Sequence, residues 1–240
     1  MVGKPREGRK RALTATQVKR RYRARKKHAA AIAHRAEVMA ERVAASARAE
    51  AQLATTTKLY LLFLIDPPWD DNDDAYSEAG KGRAAANHYA TMTDEQMKQR
   101  HPKLPAAPDS LCYIWTTSGR LRQAIGLMEF WGFTYAGCGG WDKDRIGKGR
   151  RHRMQEEFWI WGNKGDGLPV PDDADKTPNH FQEKSVRRRG VSSVKPDKLA
   201  DDLVRQYPGS EGRRLEMFAR RPREGWDVHG NEGLADADAV

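Results

Sequence analysis

The apolar run Leu59 to Ile65 is cut off by Asp66-Pro67-Pro68-Trp69, and this junction constrains the fold more than any other stretch of the chain. A short run of Leu, Tyr, Phe and Ile without polar alternation reads as a strand buried on both faces, as at the centre of an α/β sheet. Proline has no N–H to donate to a ladder, so two in succession force the chain out of the sheet. An acid, a rigid turn and a large aromatic are thereby displayed at the carboxyl end of a central strand, where open α/β sheets place their ligand sites. The carboxylate and the turn's carbonyls accept N–H hydrogen bonds, while the aromatic covers a flat ring. That combination suits chemistry on the exocyclic amine of a base. An isolated Asp-Pro pair is usually a simple turn; the four residues together, after such a strand, favour a site.

The 240 residues suffice for one α/β domain with an appendage. Their net charge of +10 is concentrated at one end. Residues 1–30 hold twelve Lys or Arg against the single acid Glu7, and the other 210 residues carry 31 basic and 32 acidic side chains. Such an arm is an electrostatic footprint for a phosphate polymer, with Lys19, Arg20 and Arg21 among its candidate contacts. A solubilising tail or a solvated helix face has the same composition. Cys112 and Cys138 fall in strand-like segments, where burial is the expected role, and two scattered thiols fit a reducing compartment. No Cys/His spacing suggests a metal. The acidic cluster Asp70 to Asp74 has Ala75 where a calcium loop needs glycine and Lys81 where it needs glutamate. No apolar stretch reaches the length of a membrane span and the amino terminus lacks a signal peptide's apolar core, so a soluble cytoplasmic protein is expected.

From Ala15 to Ala54 the chain is rich in Ala, Arg, Lys and Glu without Gly or Pro, which predicts a helix ending at Thr55-Thr56-Thr57. The expected organisation is an arm and helix over 1–54, a folded body over 55–232 and an acidic tail over 233–240. After the proline turn a polar loop from Asp70 to Thr91 is long enough to suggest function. Thr93-Asp94-Glu95-Gln96 is a capping box that opens a short helix. Strands are predicted at 110–116, 133–138 and 157–161, a helix at 118–131, and a helix with Pro196 in its first turn that stops at Pro208-Gly209. Leu215 to Ala219 is the last strand expected. Alternating strands and helices indicate parallel βαβ units and an α/β class.

Several segments together resemble the family of the eukaryotic messenger-RNA adenosine-N6 methyltransferase catalytic subunit and its bacterial and phage DNA-adenine relatives. They are Asp66-Pro67-Pro68-Trp69, His88 to Thr93, Trp141-Asp142-Lys143, Glu157 to Gly165, Lys195-Pro196, Leu215 to Arg220, and Gly230-Asn231-Glu232. The resemblance runs from about Leu59 to Glu232 and implies a Rossmann-like, mostly parallel methyltransferase sheet. Its motif order is permuted, with the catalytic motif ahead of the cofactor-binding strand, and no glycine-rich fingerprint stands where Leu215 to Arg220 lie.

The resemblance further implies S-adenosylmethionine held by Asp66, Lys195, Glu216, Phe218, Arg220, Asn231 and Glu232, and catalysis by Asp66, Pro67, Pro68 and Trp69. In the implied reaction Asp66 and the Pro67 carbonyl accept the hydrogens of adenine N6, with Trp69 and Tyr89 as stacking candidates. Lys143, Arg150, Arg151 and Arg153 form a basic loop suited to a nucleic-acid backbone, although a solvated charge run looks the same. Ser192-Ser193-Val194 and Arg150-Arg151-His152 depart from the family pattern in loops near the expected substrate groove. The catalytic motif serves both DNA and RNA members. The compact chain with its short basic arm looks more like the bacterial and phage DNA enzymes, for which protection from restriction is a plausible purpose that no residue establishes. The competing readings are an RNA methyltransferase and an inactive nucleic-acid-binding subunit of the same fold; the intact Asp66 to Trp69 speaks against the latter.

Overall fold

The structure is a computed structural model that describes residues 14–69, 91–147, 151–184, 194–219 and 222–229. It divides into two compact units, Met1–Glu41 and Arg42–Val240. Helix α1 spans Ala15–Thr55. Its end falls at the predicted threonines, where the Thr55 hydroxyl donates to the carbonyls of Ala51 (3.0 Å) and Gln52 (3.2 Å). In the first unit Lys19, Arg20 and Arg21 are exposed. No described helix is long and apolar enough to cross a membrane.

Among the described residues of the second unit, seven strands form one sheet. They are β1 (Tyr60–Ile65), β2 (Ala106–Thr116), β3 (Thr134–Asp142), β4 (Glu156–Lys164), β5 (His180–Gln182), β6 (Arg214–Met217) and β7 (Asp227–His229), in the order β5-β3-β4-β2-β1-β6-β7. All point one way except β4, which is antiparallel to β2 and β3. Helices α2 (Asp94–Arg100), α3 (Leu121–Phe130) and α4 (Lys198–Gln206) complete the body. The result is the expected α/β, Rossmann-like class with a mostly parallel sheet.

The continuous apolar character of β1 follows from burial on both faces. Phe63 and Ile65 point into one cluster with Cys112 and Ile114 of β2, Met97 of α2 and Ala124, Leu127 and Met128 of α3. Leu62 and Leu64 point into the other, with Leu111, Tyr113 and Trp115 of β2 and Leu199, Ala200 and Leu203 of α4. Period-two alternation along β1 and β2 thus feeds two separate cores, one under each helical layer. The capping box opening α2 is present in full: Gln96 N–H donates to the Thr93 hydroxyl, and Thr93 N–H donates to the Gln96 side chain.

Four features differ from the sequence expectation. The β3–β4 connection contains no described helix, so these strands form an antiparallel hairpin rather than a parallel unit. Gly137 and Gly139 lie opposite Trp161 and Trp159 in that hairpin, and the indole rings fill the space in which a Cβ at either glycine would sit. Leu215 to Ala219 is shorter than a strand of that span, because the ladder stops at Met217, and it is not the last: β7 follows it. β5 is also present, too short at three residues to leave a sequence signal. Finally, Cys112 is buried as expected but Cys138 is exposed, on the side of β3 shared by the exposed Thr134 and Ala136.

Candidate active site

β1 and its two neighbours, β2 and β6, are parallel, so their carboxyl ends open at one edge. The chain leaves β1 toward β2 on one side and returns through β6 on the other. This makes the crevice outside β1 and β6 a topological switch point, the usual ligand position of an open α/β sheet. The Asp66 N–H donates to the Met217 carbonyl (3.2 Å), carrying the ladder one residue past β1. Pro67 and Pro68 then end it. Trp69 N–H turns back to donate to the Pro67 carbonyl (2.8 Å), and the Pro68 carbonyl accepts from Met92 N–H (2.8 Å), which ties the turn to the approach into α2. Both prolines are buried, while Asp66 and Trp69 are half-buried. The Trp69 indole packs against the core on the α2–α3 side, with its N–H 3.4 Å from the Trp115 carbonyl.

Four charged side chains form an alternating chain beside this turn. Lys195 Nζ lies 2.8 Å from Asp66 Oδ1 and 3.2 Å from Glu157 Oε2, and Lys143 Nζ lies 3.2 Å from Glu157 Oε1. They come from the end of β1, the approach to α4, the start of β4 and the residue after β3. The reversed direction of β4 brings its first residues to the edge where the other strands end, and Glu157 pairs in register with Trp141. Burial pushes the Glu157 carboxyl upward, but Lys195 and Lys143 together outweigh it and hold the group below the ordinary carboxylate range. The Lys195 ammonium also stands 5.7 Å from the centre of the Trp115 ring.

A second ionic group lies across the crevice. Arg223 Nε donates to Glu216 Oε2 (2.7 Å), and its Nη1 donates to Asp197 Oδ1. Burial alone would ease the proton off Arg223, yet the two carboxylates raise its affinity for that proton. Beyond Glu216 the backbone turns sharply: buried Phe218 adopts φ +59°, and its N–H donates to the His229 carbonyl (2.5 Å). A bulky residue in the left-handed region is strained, and such strain concentrates where a fold serves a ligand. Lys195-Pro196-Asp197 joins the two groups, with Lys195 reaching Asp66 and Asp197 reaching Arg223, around the buried Pro196.

Of the residues singled out from sequence, Asp66, Pro67, Pro68, Trp69, Lys195, Glu216 and Phe218 come together at this edge. Lys143 is drawn into the ion chain through Glu157, whereas Arg151 and Arg153 are exposed in the β3–β4 connection. Tyr89, Arg150, Arg220, Asn231 and Glu232 lie outside the described residues, as do most of the Asp70–Thr91 loop and residues 1–13. Sequence reasoning overlooked three participants. Glu157 was passed over as the head of an aromatic strand, although an acid entering such a strand is itself a signal. Asp197 follows directly on Lys195-Pro196. Nothing in the sequence separates Arg223 from the neighbouring Arg220 and Arg221.

The sequence model of the MT-A70 family matches residues 60–232, a span that takes in every strand of the sheet. A curated relative, the Type II methyltransferase M.MunI of Mycoplasma sp, is 31% identical over 189 residues, covering 73% of this chain and 78% of that protein.

Proposed function

The chain belongs to the MT-A70 family, and on that premise we propose that this methyltransferase acts on N6 of adenine in DNA, with S-adenosylmethionine as methyl donor. One observation carries the reading. An acid-proline-proline-aromatic turn closes the interior strand β1 beside a second acid, Glu216, on the adjacent parallel strand, with Lys195 between the turn and the rest of the edge.

These residues fit the donor's chemistry. S-adenosylmethionine carries a carboxylate that suits Lys195, and cationic and hydroxyl groups that suit Asp66 and Glu216. It supplies a methyl group on a positive sulfur. The protein's part is to make a poor nucleophile react. The adenine amine is delocalised into its ring; Asp66, with the Pro67 carbonyl, accepts its hydrogens and favours the pyramidal nitrogen. The Pro67 carbonyl already accepts from Trp69, but a carbonyl has two lone pairs. Likewise, a carboxylate offers about four lone-pair directions, so Lys195 on one Asp66 oxygen is compatible with an incoming N–H. Held by these residues, the donor would supply its methyl group to the nitrogen, leaving the carbon–sulfur electron pair on sulfur. The nitrogen then gives up a proton, for which Asp66 is the adjacent acceptor. Fixing the amine in line supplies much of the acceleration. A base in a duplex must first be flipped out, at a few kcal/mol.

DNA is favoured over RNA by the similarity to a Type II methyltransferase. The basic arm over residues 1–54 supplies phosphate contacts to the domain over 55–232. Cofactor binding and turnover of Asp66→Asn test the reading together: a variant that still folds and methylates at the wild-type rate contradicts it.

A further inference from the structure

We propose that Arg223 is a positioning residue that fixes the Glu216 carboxylate for the cofactor and locks the Lys195-Pro196-Asp197 turn to it. The proposal rests on the cofactor reading above and adds a residue to it. The guanidinium addresses two carboxylates from separate segments through different nitrogens: Nε to Glu216 at the end of β6, and Nη1 to Asp197 beside α4. A glutamate side chain has several staggered positions to choose among. With one oxygen on the Arg223 Nε the plane is set, and binding need not select one orientation from many.

The second half of the clasp matters for chemistry. Asp197 is two residues from Lys195, and Lys195 bonds Asp66. Arg223 therefore ties the cofactor-facing acid of β6 to the cation that sits on the acid of the proline turn. A planar fork meets the two from nitrogens of fixed separation and direction, whereas a lysine on its flexible stem carries the charge at a single point without that set geometry. Side-chain exposures of 13% for Arg223 and 14% for Glu216 keep the pair out of bulk water, where an exposed pair would contribute little.

The test is S-adenosylmethionine titration of the full-length wild type, Arg223→Lys, Arg223→Ala and Asp197→Asn, with thermal melting and steady-state kinetics on each. The expected result is that wild type binds and Arg223→Lys binds about tenfold more weakly, which is about 1.4 kcal/mol. KM for the cofactor rises in step, and kcat at saturating cofactor stays within about threefold of wild type, the mark of lost ground-state binding. Asp197→Asn, which keeps the Arg223–Glu216 bond, falls between the two. Should Arg223→Ala fail to fold, Arg223→Lys and Asp197→Asn carry the test. Equal cofactor affinity in wild type and Arg223→Lys overturns the proposal, as does a fall in kcat with KM unchanged. A wild type that binds no S-adenosylmethionine overturns the underlying reading and the proposal together.

Discussion

Lys195 Nζ stands 2.8 Å from Asp66 Oδ1 and, on its other side, 3.2 Å from Glu157 Oε2, so one ammonium joins the end of β1 to the start of β4. Neither strand neighbours the other, since β2 lies between them. The cation bridges the two strands across β2 in front of the proline turn.

Replacing Lys195 by Met should therefore leave the half-buried Asp66 and the buried Glu157 with one cation fewer. The expected loss is about 2–3 kcal/mol of stability, somewhat under that for breaking a fully buried pair. Adding Glu157→Gln should return about 1 kcal/mol of it, because Lys143 no longer has to balance the buried Glu157 charge by itself. Urea denaturation of the single and double variants measures both. Additive losses would mean that Lys195 and Glu157 are not coupled.

His101 gives the fold a dependence on mildly acid pH. Burial, then His229 and Arg100, lower its pKa to about 4 from an ordinary 6.5. Its ring meets His229 (5.1 Å) and Phe218 (5.5 Å) edge-on, with the positive Arg100 beside it in sequence. The folded state thus binds fewer protons than the unfolded state between these values. The stability contributed is complete above about pH 6.5 and is lost as pH falls toward 4, by up to about 3 kcal/mol. Melting curves from pH 7 to 4.5 should fall steeply for wild type and less so for His101→Phe. Parallel curves would refute the assignment.

Gly139→Ala should be among the most damaging single-atom changes outside the site. The added Cβ meets the Trp159 ring and the Asn179 carbonyl, and the ring is boxed in by Trp115 and Phe181. A cost of about 1–3 kcal/mol is expected for such overpacking. Gly119→Ala, with open space around its added Cβ, is the control. A similar melting temperature for the two variants would show that Trp159 yields without cost.

Much of this architecture is legible in the sequence because the cause is local. The run into Asp66-Pro67 has one reading, the Thr93 box caps α2, and the glycine-free helix composition ends at the threonines. What stayed hidden depends on distant pairing. The reversal of β4 places Glu157 beside Lys195, yet neither residue carries a mark of the other in the sequence. The same holds for Arg223, whose partners are fixed by how β6 turns at Phe218 rather than by spacing. Lys143 illustrates the converse: its basic neighbourhood suggests a phosphate contact, while its position after β3 gives it to Glu157.

The arm's proposed contribution has its own test, apart from catalysis. Removing residues 1–54 should weaken DNA binding and flatten the plot of log affinity against log salt, since each phosphate contact adds about 0.9 to that slope. Fluorescence anisotropy over a salt series reads the change. A slope unaltered by the deletion would remove the arm from the interface.

The central claim, methyl transfer to adenine N6 by the Asp66 turn, is tested most directly by nucleoside mass spectrometry. DNA and RNA are taken from cells expressing the wild type and from cells expressing Asp66→Ala. The account predicts N6-methyldeoxyadenosine in DNA with the wild type and its absence with the variant. Methylation confined to RNA would contradict the polymer assignment, and equal methylation by Asp66→Ala would contradict the site.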